Sequence, residues 1–434
     1  MFGCICVLAL GVMPMVGCSD PQGPGGSGGS AGTAGAAGAG GTAGTGGTDL
    51  CEGVECNDGN ECTEDTCTDG VCGNPAVENG TACGGGAANC QSGSCAGMFV
   101  CTEQGIRDAI AVGGGPHRFD CDGPTTVTTE AEIVIDKDVI LDGEGELTVD
   151  GKLEHRVFVV ETGFEAGLRG IEATGGGLLV AHSDRGAGIS NSGTLTLTNS
   201  TVSGNTAVGI VNSGTLTLTN STVSEHPEPG ILNSGTMALT NSTVSGNIGA
   251  GIVNSGTMAL TNSTVSGNPA TGIFNKGGTL TLTNSTVSGN PAVGIFNRSG
   301  TLTLTNSTVS GSVTGDIGDP LSGETAPSTT TTTNSLVDGR CNGNGDFLST
   351  GYNIESPGDT CGFDPDVTDQ VNVSAEDLKL GPLADNGGPT MTHALLPGSV
   401  AIDVIPTDMC EADKDQRGFP RDSMCDVGAF EVQP

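Results

Sequence analysis

The chain has 434 residues, of which 75 are glycine, one is tyrosine and none is tryptophan. Acidic residues outnumber lysine and arginine by 50 to 14, giving a formal net charge of −36 at pH 7. A chain this acidic is repelled by nucleic acids and by anionic lipid headgroups, so nucleic-acid binding is excluded. Seventeen cysteines are too many for a reduced cytosolic protein and predict disulfides in an oxidising compartment.

Residues 1–17 are predicted to be a lipoprotein signal peptide. They contain an apolar run that is too short to span a bilayer but long enough for the core of a signal peptide. The run ends in MVGC at residues 15–18, which resembles a bacterial lipobox. The resemblance implies acylation of Cys18, which would attach the chain to the outer membrane or cell surface of a Gram-negative bacterium. A plain secretory signal is the alternative.

Residues 18–50 are rich in Gly, Ala and Thr and are predicted to be a flexible tether with a reach of roughly 30 Å. Residues 51–96 are predicted to be a small cysteine-rich stalk module that needs disulfides to stay folded. Its sequence CNDGNECTEDTC resembles short cysteine repeats of extracellular matrix proteins and of myxobacterial surface proteins.

The acidic and amide side chains of this module are weak candidates for Ca²⁺ ligands, although their spacing is not that of an EF-hand loop. Solvated acidic residues on a stalk are the alternative interpretation. No other cofactor is predicted. The four candidates are Asp58, Asn60, Glu61 and Asp65.

Fourteen cysteines that follow the signal peptide are candidates for disulfides, but the sequence does not specify their pairing. Eight lie in the cysteine-rich module, and the other six form three local couples. The candidates are Cys51, Cys56, Cys62, Cys67, Cys72, Cys83, Cys90 and Cys95, followed by Cys101/Cys121, Cys341/Cys361 and Cys410/Cys425.

Residues 97–187 are predicted to form a cap and several irregular coils. Residues 102–112 have the pattern of a short amphipathic helix, which would cover the open end of a stacked β-structure. The stretches EIVIDKDVILDG, RVFVV and LRGIEATGG supply the strands that follow.

Residues 188–340 repeat with a period of 21 residues, which indicates stacked units that share a continuous core. Leu195 and Leu197 alternate with Thr194, Thr196 and Thr198, as in a β-strand. Three short strands per unit are predicted, with Gly-Asn or Asn-Ser pairs at the turns.

Three strands in a unit of about 21 residues resemble one coil of a right-handed parallel β-helix, as in the pectin-lyase-like fold. The predicted fold class is therefore all-β, a single-stranded β-helix in which equivalent residues stack in ladders. The predicted inward ladders begin at Ile189, Leu197 and Val202, and asparagine ladders begin at Asn191 and Asn199.

The run TTTTTNSLVDG aligns with TLTLTNSTVSG and is predicted to be a further coil in which Thr330 and Thr332 occupy leucine positions. The extra residues before it are predicted to form an inserted loop near 314–327.

Residues 341–434 contain LGPLADNGGPTMTHALLPGSVAIDV and DQRGFPRDSMCDVGAFE, which resemble the choice-of-anchor Q domain of bacterial surface β-helix proteins. The resemblance implies a C-terminal cap. A histidine with carboxylates can act as an acid–base pair, but a hydrogen-bonded cap network is the preferred interpretation. The residues of this candidate constellation are Asp385, His393, Asp403, Asp415, Arg417, Arg421, Asp426 and Glu431.

No catalytic constellation is evident in the repeats, because their outward positions are Thr, Ser and Asn. The earlier coils offer Asp142, Asp150, His155 and Arg156. We therefore predict a non-enzymatic, lipid-anchored surface protein that serves adhesion, envelope structure or binding of an unidentified protein or glycan. The alternative is a polysaccharide lyase or glycoside hydrolase whose site lies in the irregular coils at 128–187 or in the loop at 313–340.

Overall fold

The structure is a computed structural model. It describes residues 51, 54–58, 60–86, 88–91, 93–177, 186–311, 317–319, 328–343, 346–364 and 368–433. Residues from Cys51 onwards form one compact unit. The predicted signal peptide, Cys18 and the predicted tether lie outside the described residues, as does most of the predicted inserted loop near 314–327.

The main body is a stack of parallel coils, each of which contributes one strand to each of three faces. In the regular coils the threonine face has the sequence TLTLT or TMALT, the Thr-Val-Ser face has TVS, and the Ile-Val-Asn face is built on strands such as Ile252–Asn254. Two long early strands, Val139–Asp150 and Glu165–Thr174, run through the corner between the first two faces.

The other strands of the threonine face are Gly114–Asp120, Thr194–Thr198, Thr215–Thr219, Thr236–Thr240, Thr257–Thr261, Thr279–Thr283, Thr301–Thr305, Thr329–Thr333 and Asp346–Ser349. Those of the Thr-Val-Ser face are Thr125–Thr128, Thr201–Ser203, Thr222–Ser224, Thr243–Ser245, Thr264–Ser266, Thr286–Ser288, Thr308–Ser310, Leu336–Asp338 and Ile354–Ser356. The Ile-Val-Asn face comprises Ile133–Ile135, Phe158–Val160, Gly186–Asn191, Val208–Asn212, Ile231–Asn233, Ile252–Asn254, Thr271–Lys276, Val293–Arg298, Ile317–Asp319 and Cys341–Gly343.

The predicted inward ladders are confirmed. Ile189, Leu197 and Val202 pair in register with their equivalents in the next coil, and each ladder is almost completely buried. Burying a leucine or isoleucine side chain contributes roughly 1.5–3 kcal/mol, so a repeated apolar triplet stabilises every coil to a similar extent. Thr330 and Thr332 do occupy leucine positions, opposite Leu302 and Leu304, and are buried.

The predicted asparagine ladder that starts at Asn191 is also confirmed. The Asn191 side-chain amide donates to Asn212 Oδ1 at 2.7 Å, and the same contact recurs from coil to coil as far as Asn297. In the second predicted ladder, the Asn220 side-chain amide donates to Asn199 Oδ1 at 3.2 Å, but both residues are exposed at turns with positive φ.

Sequence analysis missed a further buried ladder, which contains Asn205, His226, Asn247, Asn268 and Asn290. A glycine at the start of each coil makes room for it. A Cβ atom on Gly230, for example, would lie 2.7 Å from Asn247 Nδ2.

One end of the stack is closed by the predicted helix, which spans Glu103–Val112 and is capped by Thr102. Strand Met98–Val100 lies beside Gly114–Asp120 and carries the chain in from the cysteine-rich module. That module contains the antiparallel pair Thr66–Thr68 and Val71–Gly73, and a small sheet of Ala82–Cys83, Ala88–Gln91 and Ser94–Ala96, with a short 3-10 helix at Gly84–Gly86.

The C-terminal region covers the side of the last coils. It comprises helix Ala375–Leu378, the pair Leu380–Ala384 and Thr392–Leu395, a 3-10 helix at Thr407–Met409, and the pair Ile405–Pro406 and Met424–Cys425. The sequence NSTVSGN at 199–205 leaves Thr201 partly exposed, whereas the same sequence at 262–268 has Thr264 buried, because the C-terminal segment lies on it.

Candidate active site

All fourteen predicted cysteines form disulfides. The three local couples pair as Cys101–Cys121, Cys341–Cys361 and Cys410–Cys425. The cysteine-rich module is held by Cys51–Cys67, Cys56–Cys72, Cys62–Cys90 and Cys83–Cys95. Within the described part of the chain, Cys62, Cys83 and Cys95 form the one cluster with metal-ligand spacing, and all three are consumed by disulfides.

The weak Ca²⁺ candidates are engaged in turns of the module. Asp58 accepts hydrogen bonds from the Asn60 amide and the Thr63 hydroxyl, at 2.8 and 3.0 Å. Asn60 caps the Cys62 amide, and a Glu61 carboxylate oxygen accepts from the Gly84 amide at 2.6 Å. Asp65 accepts from the Asp58 amide. These contacts account for the acidic pattern as local turn chemistry.

The C-terminal charged residues are brought together in part. Arg421 pairs with Glu431 at 3.0 Å and Arg417 with Asp415 at 2.7 Å, with the Arg421, Glu431 and Asp415 side chains almost fully buried. Asp426 completes the cluster, accepting the Asp403 amide at 2.8 Å and the Val432 amide at 2.6 Å. Asp385 and His393 lie elsewhere: Asp385 is exposed, and His393 contacts Ser288 Oγ at 2.7 Å.

Burial dominates the titration of this cluster. It raises the pKa of Asp426 to about 7 and also raises the pKa of Glu431, while it lowers the pKa of Arg421. Both Glu431 oxygens already accept hydrogen bonds, one from the Asp422 amide and the other from Arg421 and the Asp426 amide. The cluster therefore folds the C-terminal segment and presents no carboxylate to solvent.

This segment is attached to the Thr-Val-Ser face by side-chain hydrogen bonds. Gln416 donates to Thr264 Oγ1 at 2.8 Å and accepts from Thr286 Oγ1 at 2.6 Å. Asn284 donates to the Lys414 carbonyl, and the Ala429 amide donates to Thr308 Oγ1.

The early irregular coils carry a different arrangement of charge. Strand Val139–Asp150 and the residue before it direct Asp138, Ile140 and Asp142 outward, because Val139 and Leu141 fill the core. The next strand alternates in the same way and directs Glu165, Gly167 and Arg169 outward. These residues and those of strand Thr194–Thr198 lie on adjacent strands of the threonine face, about 4.8 Å apart.

These outward residues, apart from Asp142, line an open groove of about 300 Å³. Ile140, Gly167 and Thr196 form its floor, and the missing side chain at Gly167 deepens it. We call this the N-terminal groove; its charged members are Asp138, Glu165 and Arg169.

Two acidic residues stand side by side at one edge of the N-terminal groove. Asp138 and Glu165 immediately precede the paired residues Val139 and Ala166, and the Glu165 amide donates to Asp138 Oδ1 at 2.8 Å. Both residues are exposed. Neighbouring strands, about 4.8 Å apart, thus place two exposed carboxylates beside each other.

The opposite edge carries a column of alternating charge. Arg118, Asp142 and Arg169 occupy equivalent positions on three adjacent strands. Arg118 also pairs with Glu144 at 3.4 Å, with both side chains about half exposed. The Arg169 guanidinium makes no hydrogen bond or ion pair with the described residues, so it is available to an anionic ligand.

Sequence analysis named Asp142 but missed Asp138, Glu165 and Arg169. The signal was present in DKDVILDG and EAGLRG, where alternation around the inward residues Val139, Leu141, Ala166 and Leu168 directs the charged residues outward. Asp150, His155 and Arg156 do not join the groove. Asp150 caps the Lys152 amide, His155 contacts two backbone carbonyls, and Arg156 lies 3.6 Å from Glu132.

The β-helical fold of this chain is also found by comparison with a family model and with solved structures. Residues 173–309 match a family model described as a right handed beta helix region. The chain contains a right-handed parallel β-helix. No curated protein matches this sequence.

Among solved structures, the chain is similar to pectate lyase Pel9A, with 16% identity and a TM-score of 0.52. The match covers 77% of this chain and 96% of that one. The enzymatically active domain of tailspike protein 2 from bacteriophage CBA120 is 11% identical, with a TM-score of 0.38 and coverage of 74% and 47%. A mutant of the periplasmic alginate epimerase AlgG is 12% identical, with a TM-score of 0.34 and coverage of 65% and 85%.

The expectation of a non-enzymatic protein that serves adhesion, envelope structure or partner binding is wrong. A solved structure that this chain resembles over 77% of its length is that of a pectate lyase. That expectation was drawn mainly from the regular repeats. Of the outward charged residues on the early strands, it included Asp142 but not Asp138, Glu165 or Arg169.

Proposed function

We propose that this protein is a polysaccharide-active enzyme, a lyase or a hydrolase, whose active site is the N-terminal groove. The main support is the presence of two neighbouring carboxylates and an arginine on adjacent coils, at the two edges of one groove. The structural similarity to a pectate lyase supports a polysaccharide substrate.

Each charged residue has a role that follows from its chemistry. Asp138 and Glu165 exchange protons with the substrate, which typically accelerates a reaction by about 10²–10⁴-fold. Arg169 binds an anionic group of the sugar through paired N–H donors, which favours an acidic polysaccharide over a neutral one. Because the whole chain carries a charge of −36, this local arginine is needed to offset repulsion of such a substrate.

The test is incubation of the full-length protein with polygalacturonate, alginate and xylan, with two parallel readouts. Ultraviolet absorbance detects the unsaturated product of elimination, and reducing-end release detects any cleavage. We expect cleavage of at least one acidic polymer, and a strong loss of rate in Glu165→Gln and Arg169→Met. Thr219→Met is the matched control, since Thr219 lies in the same column as Arg169, two coils further along.

A product with both signals identifies a lyase, and reducing ends without absorbance identify a hydrolase. Absence of cleavage, or cleavage that survives both groove substitutions, would refute the assignment of the groove.

We further propose that the enzyme is attached to the outer membrane or cell surface through lipidated Cys18, and that residues 341–434 are a choice-of-anchor Q domain. Both proposals rest on sequence resemblance, and Cys18 lies outside the described residues. In the part of the chain that the structure describes, no helix is long and apolar enough to cross a membrane. Metabolic labelling with a fatty-acid analogue tests the anchor: the label should attach to the wild-type protein and be absent from Cys18→Ser.

A further inference from the structure

The Ile-Val-Asn face carries a continuous apolar stripe on its outer side. In strands such as Ile252–Asn254, the first and third residues point into the core and the middle residue points outward. Register pairing stacks these outward residues over eight consecutive coils. The stripe consists of Val134, Val159, Ser190, Val211, Leu232, Val253, Phe274 and Phe296.

All eight residues remain partly exposed, and the Phe274 and Phe296 rings stack with centroids 4.7 Å apart. Seven of the eight are apolar, in a protein whose other long face presents threonine. A strip of about eight coils at roughly 4.8 Å each is close to 40 Å long. Contiguous apolar surface of this kind marks an interaction site in a soluble protein.

A second column, two residues further along each strand, runs beside the stripe and changes charge from one end to the other. Its first two members are acidic, the next four are serine, and the last two are basic. The column consists of Asp136, Glu161, Ser192, Ser213, Ser234, Ser255, Lys276 and Arg298. Arg298 is partly exposed and the other seven are exposed.

This pattern is self-complementary. A two-fold axis parallel to the strands, between Val211 and Leu232, reverses the order of the coils in a second copy while keeping each column opposite itself. Coil one then faces coil eight, so that Asp136 lies opposite Arg298 of the other copy. Coil two faces coil seven, which places Glu161 opposite Lys276. The stripes meet at the centre, with Val211 against Leu232 of the other copy.

We propose that the Ile-Val-Asn face is the interface of an antiparallel homodimer. Its occupant is a second copy of this chain, selected by the charge reversal of the flanking column. Isologous contacts of this kind repeat every favourable pair twice and close the assembly at two copies. A strip of this length and one face wide buries on the order of 500 Å² per partner, below the roughly 800 Å² of a standard interface, so the dimer is expected to be weak and concentration-dependent.

The experiment is sedimentation equilibrium of the full-length protein over a range of concentrations. The wild type is expected to show a monomer–dimer equilibrium, and Leu232→Asp is expected to abolish it by placing a charge next to the two-fold axis. Thr217→Asp is the matched control, because it adds the same charge to the threonine face of the preceding coil. Circular dichroism verifies that each variant is folded.

The charged column allows a sharper test by exchange of charge. Lys276→Glu places Glu opposite Glu161, and Glu161→Lys places Lys opposite Lys276, so each variant should dimerise about tenfold more weakly or worse, since two symmetric contacts become repulsive. An equimolar mixture of the two variants should regain association, because every facing pair is then of opposite charge.

Three results would overturn the proposal. These are a wild type that is monomeric at every concentration, a dimer that Leu232→Asp leaves intact, and a mixture of charge variants that associates no better than either alone. None of these results bears on the N-terminal groove, which lies on the threonine face.

Discussion

The molecule has two clusters of charged residues, and they differ in burial and in whether their charged groups are already hydrogen-bonded within the chain. The C-terminal cluster of Arg421, Asp426 and Glu431 is buried, and its carboxylates are occupied by partners within the same segment. In the N-terminal groove, Glu165 and Arg169 are exposed on one strand, and their charged ends form no hydrogen bond or ion pair with the described residues.

Composition alone therefore does not separate structural from functional charge. Both regions hold carboxylates beside arginines, and the C-terminal one is the more conspicuous in the sequence. A buried charge is tolerated when partners replace its hydration, which ties it to the fold. An exposed charge on a rigid sheet contributes little to stability and can be used by a ligand.

The largest effect on stability should follow from breaking the buried pair. Arg421→Met leaves the Glu431 carboxylate buried without its cation and should lower the free energy of unfolding by about 3–5 kcal/mol. Arg118→Met removes an exposed pair and should cost less than about 1 kcal/mol. Chemical denaturation of both variants measures the contrast, and equal losses would contradict it.

A second comparison uses identical sequence in two settings. Thr264 and Thr201 both lie in NSTVSGN, but Thr264 bonds to Met391 and Gln416 of the C-terminal segment, whereas Thr201 belongs to an uncovered coil. Thr264→Ala should cost about 1–3 kcal/mol through the polar groups it leaves unpaired. Thr201→Ala should stay within about 0.5 kcal/mol. Limited proteolysis should show earlier loss of the C-terminal segment in Thr264→Ala alone.

The pH dependence of stability isolates the buried carboxylate. Burial raises the pKa of Asp426 from 3.8 to about 7, so the folded protein holds this proton more tightly than the unfolded chain. Its contribution to stability is fully present below pH 3.8 and is lost as the pH rises through about 7. The pKa of Glu431 is shifted in the same direction.

Buried His393, His226 and His117 act oppositely, because burial lowers their pKa values and the unfolded chain binds their protons more tightly. The three histidines are present in both the wild type and Asp426→Asn, so subtracting the free energies of unfolding of the two proteins removes the histidine contribution. The wild type should lose more stability than the variant between about pH 5 and pH 8. Parallel pH profiles for the two proteins would show that Asp426 titrates normally.

The smallest effect concerns a buried polar atom without a partner. Thr332 fills a leucine position in the core, and its hydroxyl has no hydrogen-bond partner among the described residues. Thr332→Val keeps the shape and removes the unsatisfied hydroxyl, so it should raise the free energy of unfolding by about 1 kcal/mol. A thermal melt that shows destabilisation would indicate that the hydroxyl has a partner after all.

Much of the fold could be predicted because each coil repeats the same pattern of inward apolar residues and turn residues. The period of 21 residues, the inward Ile, Leu and Val, and the ladder from Asn191 all follow from stacking in register. The Thr330 and Thr332 coil was recognised by the same alignment. The three local disulfide couples were evident as neighbours in sequence, but the pairing within the cysteine-rich module depends on its tertiary fold.

The groove could not be predicted from any one stretch of sequence, because its residues come from separate strands. Asp138, Glu165 and Arg169 are ordinary surface residues in sequence, and only the register of strands Val139–Asp150 and Glu165–Thr174 brings them together. The position of the C-terminal segment could not be predicted either, because covered and uncovered coils have the same sequence.

The most direct measurement compares two glutamates by the same isosteric change. Turnover of an acidic polysaccharide and thermal stability should be measured side by side for Glu165→Gln and Glu431→Gln. We predict that Glu165→Gln loses at least about 10²-fold in rate with an unchanged melting temperature, whereas Glu431→Gln melts earlier but keeps its rate while folded. Full turnover in Glu165→Gln, or loss of turnover in folded Glu431→Gln, would contradict the assignment of the two charged regions.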